Sequence, residues 1–523
     1  MAHSIEMITA DDRTPLLRQS VRSHMEEGRK VDHVMEIKET NSEDQSRLQT
    51  SKSRKQIFDE RFKDLNSWST KSCTIFKVNV ALRESNPDAY TPKLIPIGPY
   101  HNKNPELGSM EKYKILYLQQ FLQRKEGLDM ESCIRKLEEL KDEALKCYED
   151  IDYKDFDTDD STGKFVEMLL VDGCFVVEYI REDCSADEPR EGRIINTDWM
   201  VSLVNRDLLL LENQLPFSVL TKLHDMTTHQ GEMSFTKQVE KTFLSNLSNM
   251  CPAPLSEVTT GNADNMEPKH ILHVLLKACQ PSKTTTSTTE SESESEHSRK
   301  SLCWNPLQLF RPKETQGDTK HITLHGSMPN ATELCEAGVT FSKVQNVYRS
   351  SDTNNTLGNR TVSLFDIKFE KGLMKIPSFE VVDLTETLLQ NLIAFEQHWP
   401  DVYPTCFSDY VTFMDYLIES EKDVSLLRLK GIIRNRIGED KEVASIFNKM
   451  GKGVAVSCED FYYKEEYRKL IQHCEKPWNR MKANLRHNYF SSPWAGASTV
   501  AAAVLLILTA MQTILAFRAD RKK

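Results

Sequence analysis

From Trp494 to Phe517 the chain reads WAGASTVAAAVLLILTAMQTILAF, a run without a charged residue. At about 1.5 Å per residue such a helix reaches roughly 36 Å, enough to cross a hydrocarbon layer of about 30 Å with some tilt. Inside lipid every backbone polar group must be paired within the segment, and a continuous helix does that. Trp494 and Phe517 stand at the ends, Pro493 precedes the run, and Arg518, Arg521, Lys522 and Lys523 follow as a cationic stop. Tryptophan in particular favours the membrane interface. The alternative is a buried core helix, but core helices are seldom uncharged over such a length. The run therefore predicts a transmembrane helix over 494–517, a basic tail over 518–523, and membrane lipid as the first partner. Small residues four apart, at Ala495, Thr499 and Ala503, fit a helix-pairing face and a homo-oligomer, or simply an alanine-rich span.

Orientation is less constrained. Arg480, Lys482 and Arg486 precede the span and four basic residues follow it, so the charge rule nearly ties. The first thirty residues contain no apolar run of signal-peptide length. That favours a cytosolic large domain held on the plasma membrane or an endomembrane. Glycosylation sequons at Asn246, Asn330, Asn354 and Asn359 point the other way, so the opposite topology stays open. The twelve cysteines, spread from Cys73 to Cys474 without a C-x-x-C pair, read as free buried thiols in a reducing compartment. A net charge of −11 argues against nucleic acid as a partner, because phosphate binding wants a basic face.

Hydrophobic residues make up 39% of the chain and charged residues 28%, which implies a real core diluted by polar stretches. Residues 1–56 are charged and lack periodic apolar positions, the pattern of a flexible tail. Within 281–320 the run TTTSTTESESESE cannot bury enough apolar area to offset its ordering entropy, so a disordered insert is expected. Its Ser/Glu alternation could accept phosphates or serve as a spacer. On either side lie two parts of one helical domain, 57–280 and 321–490.

In the first part, TIFKVNV after Cys73 alternates like a strand, and LIPIGPYH reads as an extended stretch with a turn. Met110, Tyr113, Tyr117 and Phe121 fall at helical spacing with lysines on other faces, and an acidic helix covers 129–149. Over Lys164–Arg181 a stripe of Phe165, Met168, Leu169, Phe175, Val176, Tyr179 and Ile180 predicts an amphipathic helix. Residues 198–224 read as two helices broken near Pro216, which suits a first helical turn. In the second part, VTFSKV, VSLFDIKFE and LMKIPSFEV suggest three short strands, the last two a hairpin around Lys371-Gly372. Asp383 and Glu386 form a capping-box pattern ahead of an amphipathic helix ended by Pro400, and helices follow at 408–436, 440–450 and 459–488. The fold class is mainly α, an α+β domain with a minor antiparallel sheet plus one transmembrane helix.

Chemistry is harder to find. No P-loop, G-x-G-x-x-G, H-E-x-x-H or G-x-S-x-G pattern occurs. His270, His273 and Cys279 share one helix, but a structural metal wants four ligands and no second pair is near, so packed histidines are the better reading. His321 and His325, at the edge of the insert, are discounted in the same way. Asp172 interrupts an apolar stripe, and Glu212, Asn213 and Gln214 sit between leucines and Pro216. Burying such groups is costly without partners. They suggest either a polar pocket for a small ligand or proton transfer, or a hydrogen-bond network fixing helix ends, and the second is favoured. No catalytic, cofactor-binding or metal residue is assigned.

Several stretches resemble the plant family known as domain of unknown function 247: AYTPKLIPIGPYH with the following MEKYK, FVEMLLVDGCFVVEYI, DLLLLENQLPFSVL, ATELCEAGVTF, LFDIKFEKGLMKIP and NLIAFEQHWP, before the terminal apolar helix. They occur in the family's order over most of 73–517, and the polar insert falls where the family varies. The resemblance implies a plant source, a membrane-anchored helical domain and no established catalysis. Some relatives are linked to pollen–pistil recognition in grass self-incompatibility, which suggests recognition by analogy. Three functions compete: a membrane-tethered recognition or adaptor component with an unidentified protein partner, an enzyme with an unrecognised site near Asp172, Glu212 and His270, and a tail-anchored stress or trafficking component acting through its insert.

Overall fold

The apolar stripe over Lys164–Arg181 becomes a 24-residue helix, Ser161–Cys184, and the first half of the fold is ordered by how its neighbours cover it. In the computed structural model the described residues are 58, 73–151, 156, 161–184, 193–250, 267–280, 328–344, 363–489 and 493–520. The expected tail over 1–56, the insert over 281–320, His321, His325, Asn354, Asn359 and the last three residues lie outside them.

In chain order the helices of the first part are α1 (Val80–Arg83), α2 (Glu111–Gln123), α3 (Met130–Glu138), α4 (Lys141–Lys146), α5 (Ser161–Cys184), α6 (Asp198–Asp207), α7 (Phe217–Thr227), α8 (Phe235–Met250) and α9 (Ile271–Cys279). The second part holds α10 (Ala331–Glu336), β1 (Thr340–Val344), β2 (Lys368–Glu370), β3 (Leu373–Pro377), β4 (Phe379–Val381), α11 (Leu384–His398), α12 (Cys406–Leu417), α13 (Glu421–Leu429), β5 (Ile433–Asn435) and α14 (Asp440–Met450). It closes with α15 (Lys464–Glu475), α16 (Pro477–Tyr489) and α17 (Pro493–Asp520).

Helix α5 packs against α2, α3, α7 and α8. Phe165, Leu169, Phe175 and Ile180 are fully buried, each stabilising the fold by about 1.5–3 kcal/mol relative to exposure. Tyr117 of α2 meets Phe175 edge-on at 5.0 Å. Helix α11 plays the corresponding part in the second half, packed on α12, α14, α6 and the turn Pro87–Tyr90.

The hairpin at Lys371-Gly372 forms as the sequence predicts, with φ of 49° and 84°, both positive, as a type I′ two-residue loop requires. β2 and β3 are antiparallel, with Phe369 facing Met374. The strands form two sheets rather than one antiparallel sheet: a mixed three-stranded sheet in the order β1-β3-β2 and a two-stranded pair, β4-β5. β1 runs parallel to β3, and β4 pairs parallel with β5. Parallel partners need a crossover, so these contacts join residues far apart in sequence, where local alternation carries no information.

Further local expectations change, among them the helix at 408–436, which is α12, α13 and β5, and the helix at 459–488, which is α15 and α16. TIFKVNV is not a strand: Ile75 makes one bridge to Tyr148, and the Asn79 side chain then accepts from Leu82 N and starts α1. A short polar side chain that captures a backbone donor diverts the chain from extended pairing. The acidic helix over 129–149 is two helices, the first capped by Asp129 on Ser132 N at 2.8 Å. Asp383 has helical angles and makes no cap bond; Thr385 Oγ1 accepts from Val382 N instead, and Glu386 accepts from Asn86 Nδ2. Capping boxes stand at Asn330/Glu333 and Ser420/Asp423. Pro216 is the cap residue before α7, just outside its first turn.

Candidate functional site

Two of the polar groups that drew attention in the sequence, Asp172 and Asn213, meet on one extended stretch, Thr91–His101, which has no sheet neighbour to satisfy its backbone. Three of its residues, Pro92, Pro96 and Pro99, have no N–H to satisfy. The donors that remain between them are each taken by a side chain from another element. Asp207, at the end of α6, accepts from Lys93, Leu94 and Ile95 N, the closest at 2.7 Å. Asn213 Oδ1 accepts from Ile97 N at 2.7 Å while its Nδ2 donates to the Ile95 and Asp207 carbonyls. Asp172, from the middle of α5, accepts from Gly98 N at 2.9 Å. A buried backbone segment outside regular structure must find such partners or lose stability.

Asp172 has a second partner that the sequence does not reveal. Lys114 of α2 is buried rather than on an outer face, and its Nζ lies 2.7 Å from Asp172 Oδ1 and 2.9 Å from Glu111. Burial pulls the ammonium pKa down, but the two carboxylates outweigh it and hold Lys114 above the ordinary lysine value. Gly98, with φ of +74°, completes the junction: a Cβ there would come within 2.8 Å of the Gln214 carbonyl.

Glu212 accepts from Val78 N at 2.7 Å, pairs with Arg83, and lies 3.4 Å from His101 Nε2. Burial alone would raise its pKa, but the neighbouring His101, the Arg83 guanidinium and the Val78 N–H outweigh it and hold it below the usual glutamate range. Gln214 Nε2 donates to the Leu208 and Leu210 carbonyls, and Oε1 accepts from Leu272 N. Asn391 of α11 ties both halves together, accepting from Leu211 N at 2.8 Å and donating to the Ala89 carbonyl at 2.8 Å.

The histidines are structural in their contacts. His270 is the N-cap of α9: Nδ1 accepts from His273 N, and Nε2 faces the Thr74 carbonyl at 3.1 Å. His273 Nδ1 accepts from Lys269 N at 3.1 Å, its ring edge-on to Trp399 at 4.9 Å. A nitrogen that accepts an N–H cannot carry a proton, so both rings are held neutral. Burial, and the lysines at 277 and 269, push the His273 pKa down to about 3. Cys279 lies in the same helix with its thiol pushed up to about 12 by burial. Among the described residues, no three His, Cys, Asp or Glu side chains are placed to hold a metal ion.

Asp172, Glu212 and His270 therefore support neighbouring parts of residues 74–101, each through a different partner. A cleft of about 490 Å³ lies elsewhere, between α3 and α7, bordered by Lys125, Arg135, Lys136 and Lys222 with Glu126 and Glu139. Besides Lys114, the sequence reading missed Asp207, Asn391 and Glu396. Glu396 of α11 accepts from Phe407 and Ser408 N and from Ser408 Oγ, capping α12 from outside, and burial pushes its pKa up to about 7. The one available signal was the proline spacing of residues 92–99, which demands acceptors from elsewhere. DLLLLENQ, with Asp207 and Asn213, supplies all of them but Asp172.

Comparison with known proteins gives a consistent picture. The profile of a family described as a plant protein of unknown function (DUF247) matches residues 75–508. A UPF0481 protein of Arabidopsis thaliana is 28% identical over 465 residues, covering 88% of this chain and 90% of its own length. A second UPF0481 protein of the same plant is 24% identical, covering 84% and 89%. No solved structure matches.

Proposed function

The chain belongs to the plant DUF247 family, and from that premise we propose that it is a membrane-anchored recognition or adaptor component rather than an enzyme. α17 is the anchor, and the helical unit stands on the cytosolic side as the surface a protein partner reads.

The observation that carries the anchor is the state of Ala497–Leu515: nineteen residues, long and apolar enough to cross a membrane, with none of that window buried against the rest of the protein. A core helix of the same composition would be covered by its neighbours. Leaving Leu505, Leu506, Ile507 and Leu515 all more than half exposed to water would cost roughly 1.5 kcal/mol or more per side chain. Lipid removes that cost.

Two features support a cytosolic domain. The ten described cysteines are free thiols, five of them buried. Asn330, a sequon residue, uses its side chain twice, accepting from Glu333 N at 2.9 Å and donating to Glu419 at 2.8 Å; a glycan on Nδ2 would crowd the bond to Glu419. The non-catalytic reading draws on the way Asp172, Glu212 and His270 are engaged in holding backbone.

Truncation after Tyr489 tests the anchor within this reading. The shortened protein is expected to move to the soluble fraction with its helical content kept, while the full chain pellets with membranes. Partner recognition is read by crosslinking the full chain in intact plant membranes. A protein recovered in constant ratio to it supports the adaptor role. If purified protein instead turns over a small molecule, and loses that activity without losing stability on Asp172→Asn, the enzyme reading replaces it.

A further inference from the structure

The helix just before the span carries large apolar side chains that the protein leaves uncovered. In α16, Trp478 is 70% exposed and Met481 53% exposed. They are three residues apart and so share a face, and Leu485 and Tyr489 continue that spacing in the sequence. The inner face is occupied: α16 packs on α10 and α15, and Asn479 Nδ2 donates to the His473 carbonyl at 2.8 Å.

Charge singles out the same helix. From Lys476 to Ala519 the sequence contains no Asp or Glu, while Arg480, Lys482 and Arg486 fall within α16, in a chain whose net charge is −11. The neighbouring acids, Glu333 and Glu336 on α10 and Glu475 at the end of α15, belong to the elements α16 packs against.

Connectivity fixes what lies next to it. Only residues 490–492 separate Tyr489 from Pro493, where α17 begins. With consecutive Cα atoms about 3.8 Å apart, that link cannot exceed roughly 15 Å. The headgroup zone on each side of a bilayer is about 5–7 Å thick. If α17 crosses the membrane, the end of α16 is held at or just above the headgroups. Tryptophan and methionine with flanking arginines and lysines are the composition of a helix lying in that layer.

We infer that α16 is a lipid-docking helix: it lies along an anionic bilayer surface, inserting Trp478 and Met481 at the acyl boundary and setting the exposed Arg480 among lipid phosphates. The inference rests on the anchor reading of α17. It adds an orientation, because a helix fixed to α10 and α15 and flat on the bilayer holds the helical unit at one angle instead of letting it swing on its tether.

The test uses the full chain in two forms, Trp494→Phe and Trp494→Phe with Trp478→Phe, reconstituted into phosphatidylcholine–phosphatidylserine vesicles containing lipids brominated near the headgroup. The four remaining tryptophans are common to both and cancel in the difference. The inference expects quenching of the first form by brominated lipid and loss of that quenched component in the second. It also expects weaker Trp478 quenching in phosphatidylcholine alone. Equal quenching of the two forms, with both resisting carbonate extraction, overturns the docking helix and leaves the anchor standing. Quenching that ignores phosphatidylserine overturns the role of anionic headgroups. If both forms wash off in carbonate, the anchor reading falls and this inference with it.

Discussion

Asp172 and Lys114 form a buried ion pair, both nearly closed to water, and each also serves a third group: Gly98 N for the acid, Glu111 for the base. Removing Asp172 leaves Lys114 buried with the solvent-exposed Glu111 as its remaining carboxylate, so Asp172→Ala is expected to cost about 3 kcal/mol. Asp172→Leu with Lys114→Met removes both charges and should cost less than the two single changes added together, with Gly98 N left unpaired at about 1–3 kcal/mol. Denaturant unfolding of the four proteins of this cycle reads the coupling directly. A ligand-holding Asp172 would behave differently, with Asp172→Asn changing binding and leaving stability alone. His273 makes a second residue-scale prediction. Its folded pKa is depressed to about 3 from about 6.5 in an unfolded chain. The stability it contributes is therefore fully present above pH 6.5 and is lost as pH falls from there towards 3. Between pH 7 and pH 5 that loss amounts to about 2 kcal/mol. Glu396, raised to about 7, has the opposite slope over this range, so total stability hides the effect. The readout is the difference between the wild type and His273→Gln, which should shrink as the pH is lowered.

At the level of elements, the segment Thr91–His101 is held by side chains where a strand would be held by another strand, and Gly98 is its tightest point. Ala there meets both a positive φ and the Gln214 carbonyl at 2.8 Å, so Gly98→Ala should destabilise by about 2 kcal/mol or more, measured as a lower midpoint in urea. The elements legible in the sequence were those whose signal is local. The stripe of α5, the helix from Leu384 and the Lys371-Gly372 turn all follow from residue type at fixed spacing. Lys114 was misplaced because lysine is almost always exposed, and the acid that buries it is 58 positions away on another helix. The capping box at Asp383 failed because spacing does not fix backbone angles. β5 and the parallel pairings escaped for the same reason as Asp207 and Glu396: their partners are set by tertiary structure. Within the candidate site, the residue types at 172 and 212–214 flagged buried polarity correctly, and only the partners decide that they hold backbone.

For the whole molecule, two halves on either side of the insert share one polar junction, with Asn391 of α11 bonding both the Ala89 carbonyl and Leu211 N. Among the described residues, the exposed large apolar side chains concentrate along α17, and Trp478 and Met481 of α16 are exposed as well. An exposed apolar surface of this extent marks an interaction site, and its helical form and length suit a bilayer. The account stands on that helix crossing lipid. Sealed plant membranes bearing the full chain, washed in alkaline carbonate and then treated with protease, measure it most directly. The account predicts that the protein stays in the pellet, that external protease removes the helical unit from cytosol-side-out vesicles, and that a short fragment containing 497–515 survives inside the membrane. Release of the intact protein into the carbonate supernatant would contradict it.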